Sequence, residues 1–434
     1  MLYYSLNHQS PKVSFKEATI KGLASDKGLY FPERIPVLSN DFLLRIDNYS
    51  KDEIAYRIIQ PYIGNEIPEK ELRKIITETI AFDFPLVNVD NKIFSLELFH
   101  GPTLAFKDVG ARFMSRCLGY FMKDNNQQVT VLVATSGDTG GAVAHGFYEV
   151  EGVNVIILYP SGKVSNVQEL QLTTLGRNIS AIEVNGRFDD CQRLVKQAFA
   201  DHELNKALFL TSANSINVAR WLPQQFYYFF AYQQWADKNS PPVFCVPSGN
   251  FGNICAGLLA HQSGLPATHF IAACNANKVV PEYLNSGNYQ PKKAVATLSN
   301  AMDVGDPSNF VRILELFHKE FGALSKILNS YSISDEETKQ TINNVYRKNH
   351  YLLDPHGAVG YLSLQRYLQS HPEHKGIFLE TAHPIKFYDA VEPIIHEKVP
   401  VPDSITTLLG KEKKSYKMEV DYNLLKEYLL STKT

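Results

Sequence analysis

Apolar, β-branched runs of strand length recur along this chain with helical segments between them, and that rhythm limits its fold more than any other feature. Val129–Ala134 runs into Thr135-Ser136-Gly137, 153–158 into Tyr159-Pro160-Ser161-Gly162, and Ile179–Val184 into Asn185-Gly186. Apolar residues three and four apart, such as Cys191, Leu194, Val195 and Ala198, fill the gaps. Strands roughly 25 residues apart with helices between them are the mark of βαβ units and a parallel sheet. The pattern resumes at 243–246, 270–274 and 376–379, so two α/β lobes are expected. The stretch 209–235, with Trp221, Phe226, Tyr227, Tyr228, Phe229 and Phe230, reads as a buried helix.

With 434 residues the chain exceeds a single core, and about 150 residues per domain suggests two or three. A preface apolar enough to pack on the lobes (Leu43, Leu44, Ile54, Ile58, Ile59) comes first, and a charged tail after Pro402 reads as peripheral. A net charge of −2 offers no electrostatic reason for nucleic acid or an anionic membrane as partner. The five cysteines are scattered and lack Cys-x-x-Cys, which reads as buried thiols in a reducing compartment. The opening residues lack the basic and apolar pattern of a signal peptide. No apolar run approaches the ~20 residues that span a bilayer. The expectation is a soluble, cytoplasmic protein.

Lys107 carries the strongest chemical signal. It lies in His100-Gly101-Pro102-Thr103-Leu104-Ala105-Phe106-Lys107-Asp108 and opens an amphipathic helix with Val109, Phe113, Met114 and Leu118. A lysine kept partly dry has a lowered pKa and serves as an amine nucleophile that forms Schiff bases with aldehydes. Alone, such a lysine is most often a solvated residue at a helix start, so the loops that accompany it decide the reading.

Four loops follow strands, where open α/β sheets bind their ligands. Pro247-Ser248-Gly249-Asn250-Phe251-Gly252-Asn253 leads into a helix, and converging amides with the helix dipole make a phosphate seat. No lysine follows it, so this is not a nucleotide loop; a plain tight turn is the alternative. Ala134-Thr135-Ser136-Gly137-Asp138-Thr139-Gly140-Gly141 offers hydroxyls and amides to an anion. Its Asp138-Thr139-Gly140 spells an aspartic-protease triplet, but that chemistry needs two carboxylates and the chain has no second triplet. In 212–220, Arg220 is placed to fork onto a phosphate, with a capping cluster led by Asn214 or Ser215 as the alternative. Last, Thr381 sets a hydroxyl just beyond the final strand. The histidines form no metal pattern: His371 and His374 flank Pro372, and His100, His145, His356 and His383 are isolated. No Gly-x-Ser-x-Gly occurs.

The combination resembles the pyridoxal-phosphate enzymes of the tryptophan-synthase-β kind (fold type II), and within them the threonine synthase family in its bacterial and fungal branch. The matching stretches are His100 to Asp108, 134–140, 159–163, 212–217, Leu298-Ser299-Asn300-Ala301-Met302-Asp303-Val304 and 381–387, with Val13-Ser14-Phe15 and Gly28-Leu29-Tyr30-Phe31-Pro32 near the start. The resemblance implies that Lys107 is the catalytic Schiff-base lysine and that Gly249, Asn250, Phe251, Gly252 and Asn253 hold the phosphate of pyridoxal 5'-phosphate. It implies that Thr381 faces the pyridine nitrogen, and that Asp138 stands where many relatives place an asparagine on the ring hydroxyl. Phe251 replaces a smaller residue of other branches and is expected to narrow the pocket. Thr135, Ser136, Thr139, Lys163, Asn217 and Arg220 are the implied substrate contacts.

The implied reaction converts O-phospho-L-homoserine and water to L-threonine and phosphate by β,γ-elimination and replacement, the last step of threonine biosynthesis. The implied architecture is an α/β fold of two open parallel-sheet lobes. Its expected domains are an N-terminal accessory domain at 1–85, a lobe with Lys107 and the substrate loop at 86–225, and a lobe with the phosphate loop at 226–434. The expected state is a monomer or weak dimer, with no nucleic-acid or membrane partner and no metal. The rival readings are a lyase giving a 2-oxo acid and a phosphate-binding or protease-like protein.

Overall fold

The computed structural model describes residues 1–123 and 128–432. A two-stranded antiparallel ribbon of β1 (Tyr3–Ser5) and β2 (Tyr30–Pro32) opens the chain, with helices that include Lys51–Ile63 and Glu69–Thr79 after it. Next come β3 (Leu86–Asp90) and β4 (Ile93–Glu97), then β5 (Val129–Ala134), β6 (Val153–Pro160), β7 (Ile179–Val184) and β8 (Phe209–Thr211). The second half carries β9 (Val243–Pro247), β10 (His269–Cys274), β11 (Leu328–Ser332), β12 (Gly376–Glu380) and β13 (Tyr416–Met418).

Two sheets organise these strands. One is five-stranded in the order β13-β7-β6-β5-β8, and the other six-stranded in the order β11-β10-β9-β12-β4-β3. All pairs are parallel except β3 with β4. All of β5 is buried, and only Asn154 of β6 is partly open, because helices cover both faces; this is why these strands read as continuous apolar runs instead of alternating ones. The strands expected at 129–134, 153–158, 179–184, 243–246, 270–274 and 376–379 all appear.

Three expectations need correction. The boundary at 85/86 assigned the next strands to the Lys107 lobe, yet β3 and β4 belong to the other sheet: β4 lies in parallel register with β12, from Ile93 opposite Gly376 to Glu97 opposite Glu380. The tail is not peripheral. Its strand β13 pairs with β7, and Met418, Leu425 and Leu429 bury themselves against the five-stranded lobe, so 226–434 is not one lobe. Hydrogen-bonding strand edges are filled by whatever segment presents a matching backbone, which local pattern does not reveal. The stretch 209–235 is β8 followed by the helices Val218–Trp221 and Gln225–Gln234, so the buried helix occupies only its second half.

The preface does pack on the lobes. Tyr3, Phe15, Ile54, Ile58 and Ile59 share one apolar cluster with Phe113, Trp221, Phe226 and Phe244. Fully buried Arg312 ties it to the loop after β8, donating from Nη2 to the carbonyls of Tyr30 at 3.0 Å and Ile216 at 2.7 Å.

Candidate active site

Lys107 is the first residue of the helix Lys107–Met122. The turn before it is fastened from within, since Asp108 accepts from the Thr103 amide (2.9 Å) and hydroxyl (2.6 Å). It is also fastened to the end of β12. Phe106 N–H donates to the Thr381 carbonyl at 2.9 Å, His383 N–H donates to Leu104 at 3.0 Å, and Ala105 bridges Ala382. The Tyr227 hydroxyl donates to the Phe106 carbonyl. Lysine and threonine are thereby neighbours at the carboxyl end of the six-stranded sheet.

The Lys107 side chain is only 18% exposed, and its Nζ lies 4.0 Å from Asp138 Oδ2, beyond hydrogen-bond length. Among the described residues nothing accepts a hydrogen bond from it. Burial lowers its pKa; Asp138 opposes that shift, while Lys386 and Arg220 add to it. Asp138 opens the helix Asp138–Phe147 after β5. Burial alone would raise its carboxyl, but Lys386 and Lys107 hold it well below the usual carboxylate range. Lys386 Nζ sits 2.7 Å from Asp138 Oδ1, and Gln168 Nε2 donates to the same oxygen at 2.9 Å. Gly137 precedes Asp138 at φ +141°, and a Cβ there would lie 2.6 Å from the Gln168 amide, so only glycine fits.

The loop after β9 matches a phosphate seat. It leads into the 11-residue helix Gly252–Gln262, with Phe251 left-handed at φ 61° as the residue before it. Gly249 is required by close approach: a Cβ would stand 2.7 Å from the Ala301 carbonyl and 2.9 Å from the Met302 Cα. This contact also explains the 298–304 stretch, which lies against the loop. Among the described residues, the N–H groups of Gly249, Asn250, Phe251, Gly252 and Asn253 donate to no loop or side-chain acceptor. Such open amides at a helix N-terminus suit a phosphate monoester. Strands β9 and β12 are adjacent and parallel, so this loop and Thr381 share one end of the sheet.

Other expected contacts are differently employed. Thr135 Oγ1 accepts from the Gly137 and Gly140 amides at 3.0 and 2.8 Å and donates to the Gly137 carbonyl, so it staples its own turn. Asn217 caps the helix Val218–Trp221 through the Ala219 amide at 2.9 Å and donates to the Thr19 carbonyl at 2.9 Å. The cap of this helix is thus Asn217, not Asn214 or Ser215. Asn253 spends its side chain on Pro247, Ser248 and Ile254, leaving only its amide for a ligand. The Phe251 ring is buried, edge-on to Phe310 at 5.8 Å between centroids. Ser136 and Thr139 are half-buried beside Asp138, and Lys163 is exposed. Arg220 is buried, donates to the Ala213 carbonyl at 2.5 Å and leaves its Nε without a partner; burial pushes its pKa down to about 10.

Sequence reasoning missed Lys386, Gln168 and Tyr227. Lys386 lay inside the 381–387 match, and the one available signal was a lysine in an otherwise apolar Pro-Ile-Lys-Phe turn. Among the described residues, no group of three or more His, Cys, Asp or Glu side chains is placed to hold a metal, and no helix is long and apolar enough to cross a membrane.

A partly buried amine with no hydrogen-bond acceptor among the described residues, on a turn bonded to Thr381 at one end of a parallel sheet whose next loop presents open amides, fits pyridoxal phosphate. The fold is that of fold type II pyridoxal-phosphate enzymes, and residues 81–379 match the family model "Pyridoxal-phosphate dependent enzyme". Residues 2–80 match "Threonine synthase N terminus" and 357–429 "Threonine synthase, C-terminal". The chain is 46% identical to the threonine synthase of Haemophilus influenzae, covering 100% of both chains. The crystal structure of threonine synthase from Escherichia coli superposes with a TM-score of 0.92 at 42% identity, over 99% of this chain and 100% of that one. A PLP-bound threonine synthase from Brucella melitensis gives 0.93 at 34% identity, over 99% of each. The chain belongs to the threonine synthase family. Its activity is that family's, and its cofactor is pyridoxal 5'-phosphate.

Proposed function

We propose that the chain converts O-phospho-L-homoserine and water to L-threonine and phosphate, with Lys107 as the residue that carries the cofactor and moves the protons. When bound, pyridoxal phosphate supplies an electron sink that acidifies the carbons next to the substrate nitrogen. The amides of Gly249 to Asn253 would hold its phosphate, and the Thr381 hydroxyl would be the neutral partner for its ring nitrogen. Asp138, 4.0 Å from Lys107, would stand near the cofactor's ring hydroxyl. Lys107 Nζ takes the α-proton of the substrate and returns protons to the carbon skeleton, a role that needs an amine free of its proton. Arg220, whose buried Nε has no protein partner, stabilises the departing phosphate dianion. Exposed Lys163 attracts the anionic substrate at the mouth, and Ser136 and Thr139 offer it hydroxyls.

The observation that carries this reading is the buried Lys107 amine, 4.0 Å from Asp138 and tied through Phe106 to Thr381. Its test is Lys107→Ala, which should abolish the visible absorbance of the lysine-bound cofactor and lower turnover by several orders of magnitude. A yellow, active Ala variant would refute the assignment. Chromatography of the products separates threonine from 2-oxobutyrate, the product expected of a deaminating lyase. We also read the protein as cytoplasmic and monomeric or weakly dimeric, without a nucleic-acid partner, on its five buried free thiols and net charge of −2. Sedimentation velocity tests the oligomeric state.

A further inference from the structure

Lys386 has no exposed surface. It lies on the short turn Pro384–Phe387 that follows β12 of the six-stranded sheet. Its partner Asp138 belongs to the other lobe, on the helix that follows β5. The Lys386 Nζ is 2.7 Å from Asp138 Oδ1 and donates to the Thr103 carbonyl at 2.7 Å. The other Asp138 oxygen is the one 4.0 Å from Lys107. A buried ion pair, Lys386 with Asp138, therefore crosses the junction of the lobes and ends on the partly buried Lys107 amine.

We propose that Lys386 is a positioning residue for the reaction: by engaging Asp138 Oδ1 it aims Oδ2 at Lys107 and sets how tightly that amine holds its proton. The proposal rests on Lys107 being the cofactor-bearing lysine. A buried carboxylate beside an amine favours the ammonium form, which is useless as a base. A cation on the far side of that carboxylate offsets its pull and repels a proton on Lys107 directly. The groups facing Lys107 are Asp138, Lys386 on the 384–387 turn and Arg220 on the helix Val218–Trp221. Asp108, on Lys107's own helix, gives both oxygens to Thr103, and the Tyr227 hydroxyl is committed to Phe106. Arg220 makes no ion pair among the described residues, so of the two cations only Lys386 also governs Asp138.

The test uses the full chain as wild type, Lys386→Met, Lys386→Arg, Asp138→Asn and the neutral pair D138N/K386M. In the apoprotein, the pH dependence of Lys107 carbamylation by cyanate, read by peptide mass spectrometry, reports its proton affinity without catalysis. Lys386→Met should raise the midpoint by about one pH unit or more, and Asp138→Asn should lower it by a similar amount. Lys386→Arg should stay near wild type, and the neutral pair should return most of the way. In the holoprotein, the pH at which the lysine-bound cofactor changes absorbance should move in the same directions. Where Lys386→Met fails to fold, Asp138→Asn against the neutral pair still decides. Equal midpoints in those two, or an unmoved midpoint in folded Lys386→Met, overturn the proposal. The reading of Lys107 fails separately, if borohydride reduction after adding pyridoxal phosphate leaves no adduct on Lys107 in the wild type.

Discussion

The backbone N–H of Phe106 donates to the carbonyl of Thr381 at 2.9 Å, and the Phe106 carbonyl accepts from Tyr227. Both polar groups of the residue before Lys107 are thus spoken for by distant parts of the chain. Tyr227→Phe leaves a buried carbonyl unpaired, which costs about 1–3 kcal/mol. The expected result is that loss in urea unfolding together with a lower kcat, since the lysine backbone is less firmly placed. Unchanged stability and turnover would show the hydroxyl to be idle.

Gly249→Ala pushes a methyl into the main chain of Ala301 and Met302, 2.7 and 2.9 Å away, and backbone cannot yield as a flexible side chain can. The amides proposed to hold the cofactor phosphate must shift. Fluorescence titration with pyridoxal phosphate should show affinity weakened about tenfold or more, with the protein still folded.

Glu380, fully buried at the end of β12, accepts from the Asp354 amide at 2.8 Å. Burial and the neighbouring Asp354 push its carboxyl well above the usual range. The folded protein therefore binds more protons here than the unfolded chain does. The stability from this group is full below the unfolded value of about pH 4.3 and declines as pH rises toward the raised folded value. Glu380→Gln removes the decline. Chemical unfolding from pH 5 upward should find the variant gaining on wild type by up to about 1.4 kcal/mol per pH unit. Parallel stability curves would mean the carboxyl is ionised in the fold.

Arg312 has no carboxylate partner among the described residues. It donates to Asn309 Oδ1 at 2.7 Å and to the Tyr30 and Ile216 carbonyls, with its guanidinium 4.4 Å from the Trp221 ring. Arg312→Met strands these acceptors and should destabilise the protein by about 2–5 kcal/mol. Arg312→Lys should recover little, because an ammonium cannot fork to several carbonyls at once. Limited proteolysis should then cut first in the N-terminal segment that Arg312 holds.

The strands of both lobes were legible because each is a contiguous apolar run between turn residues. Lys107 was legible for a similar reason: its proline turn, aromatic and following helix are all local. The backbone partners of Thr135 and Asn217, whose polar atoms close a turn and a helix cap, were not legible in the sequence. Lys386 was not legible as a site residue. A lysine becomes the partner of Asp138 only when the turn after β12 meets the helix after β5.

By its sequence alone this chain specified parallel α/β lobes, a lysine at the start of a helix after a proline turn and a glycine-asparagine loop before another, since periodicity and turn chemistry act over a few residues. Tertiary structure alone decided that β3 and β4 cross to the second sheet, that the tail returns to the first, and that Lys386 lies beside Asp138. Those outcomes depend on which strand edges remain open and which buried charges must find a counter-charge, and such contests are settled between segments far apart in the chain.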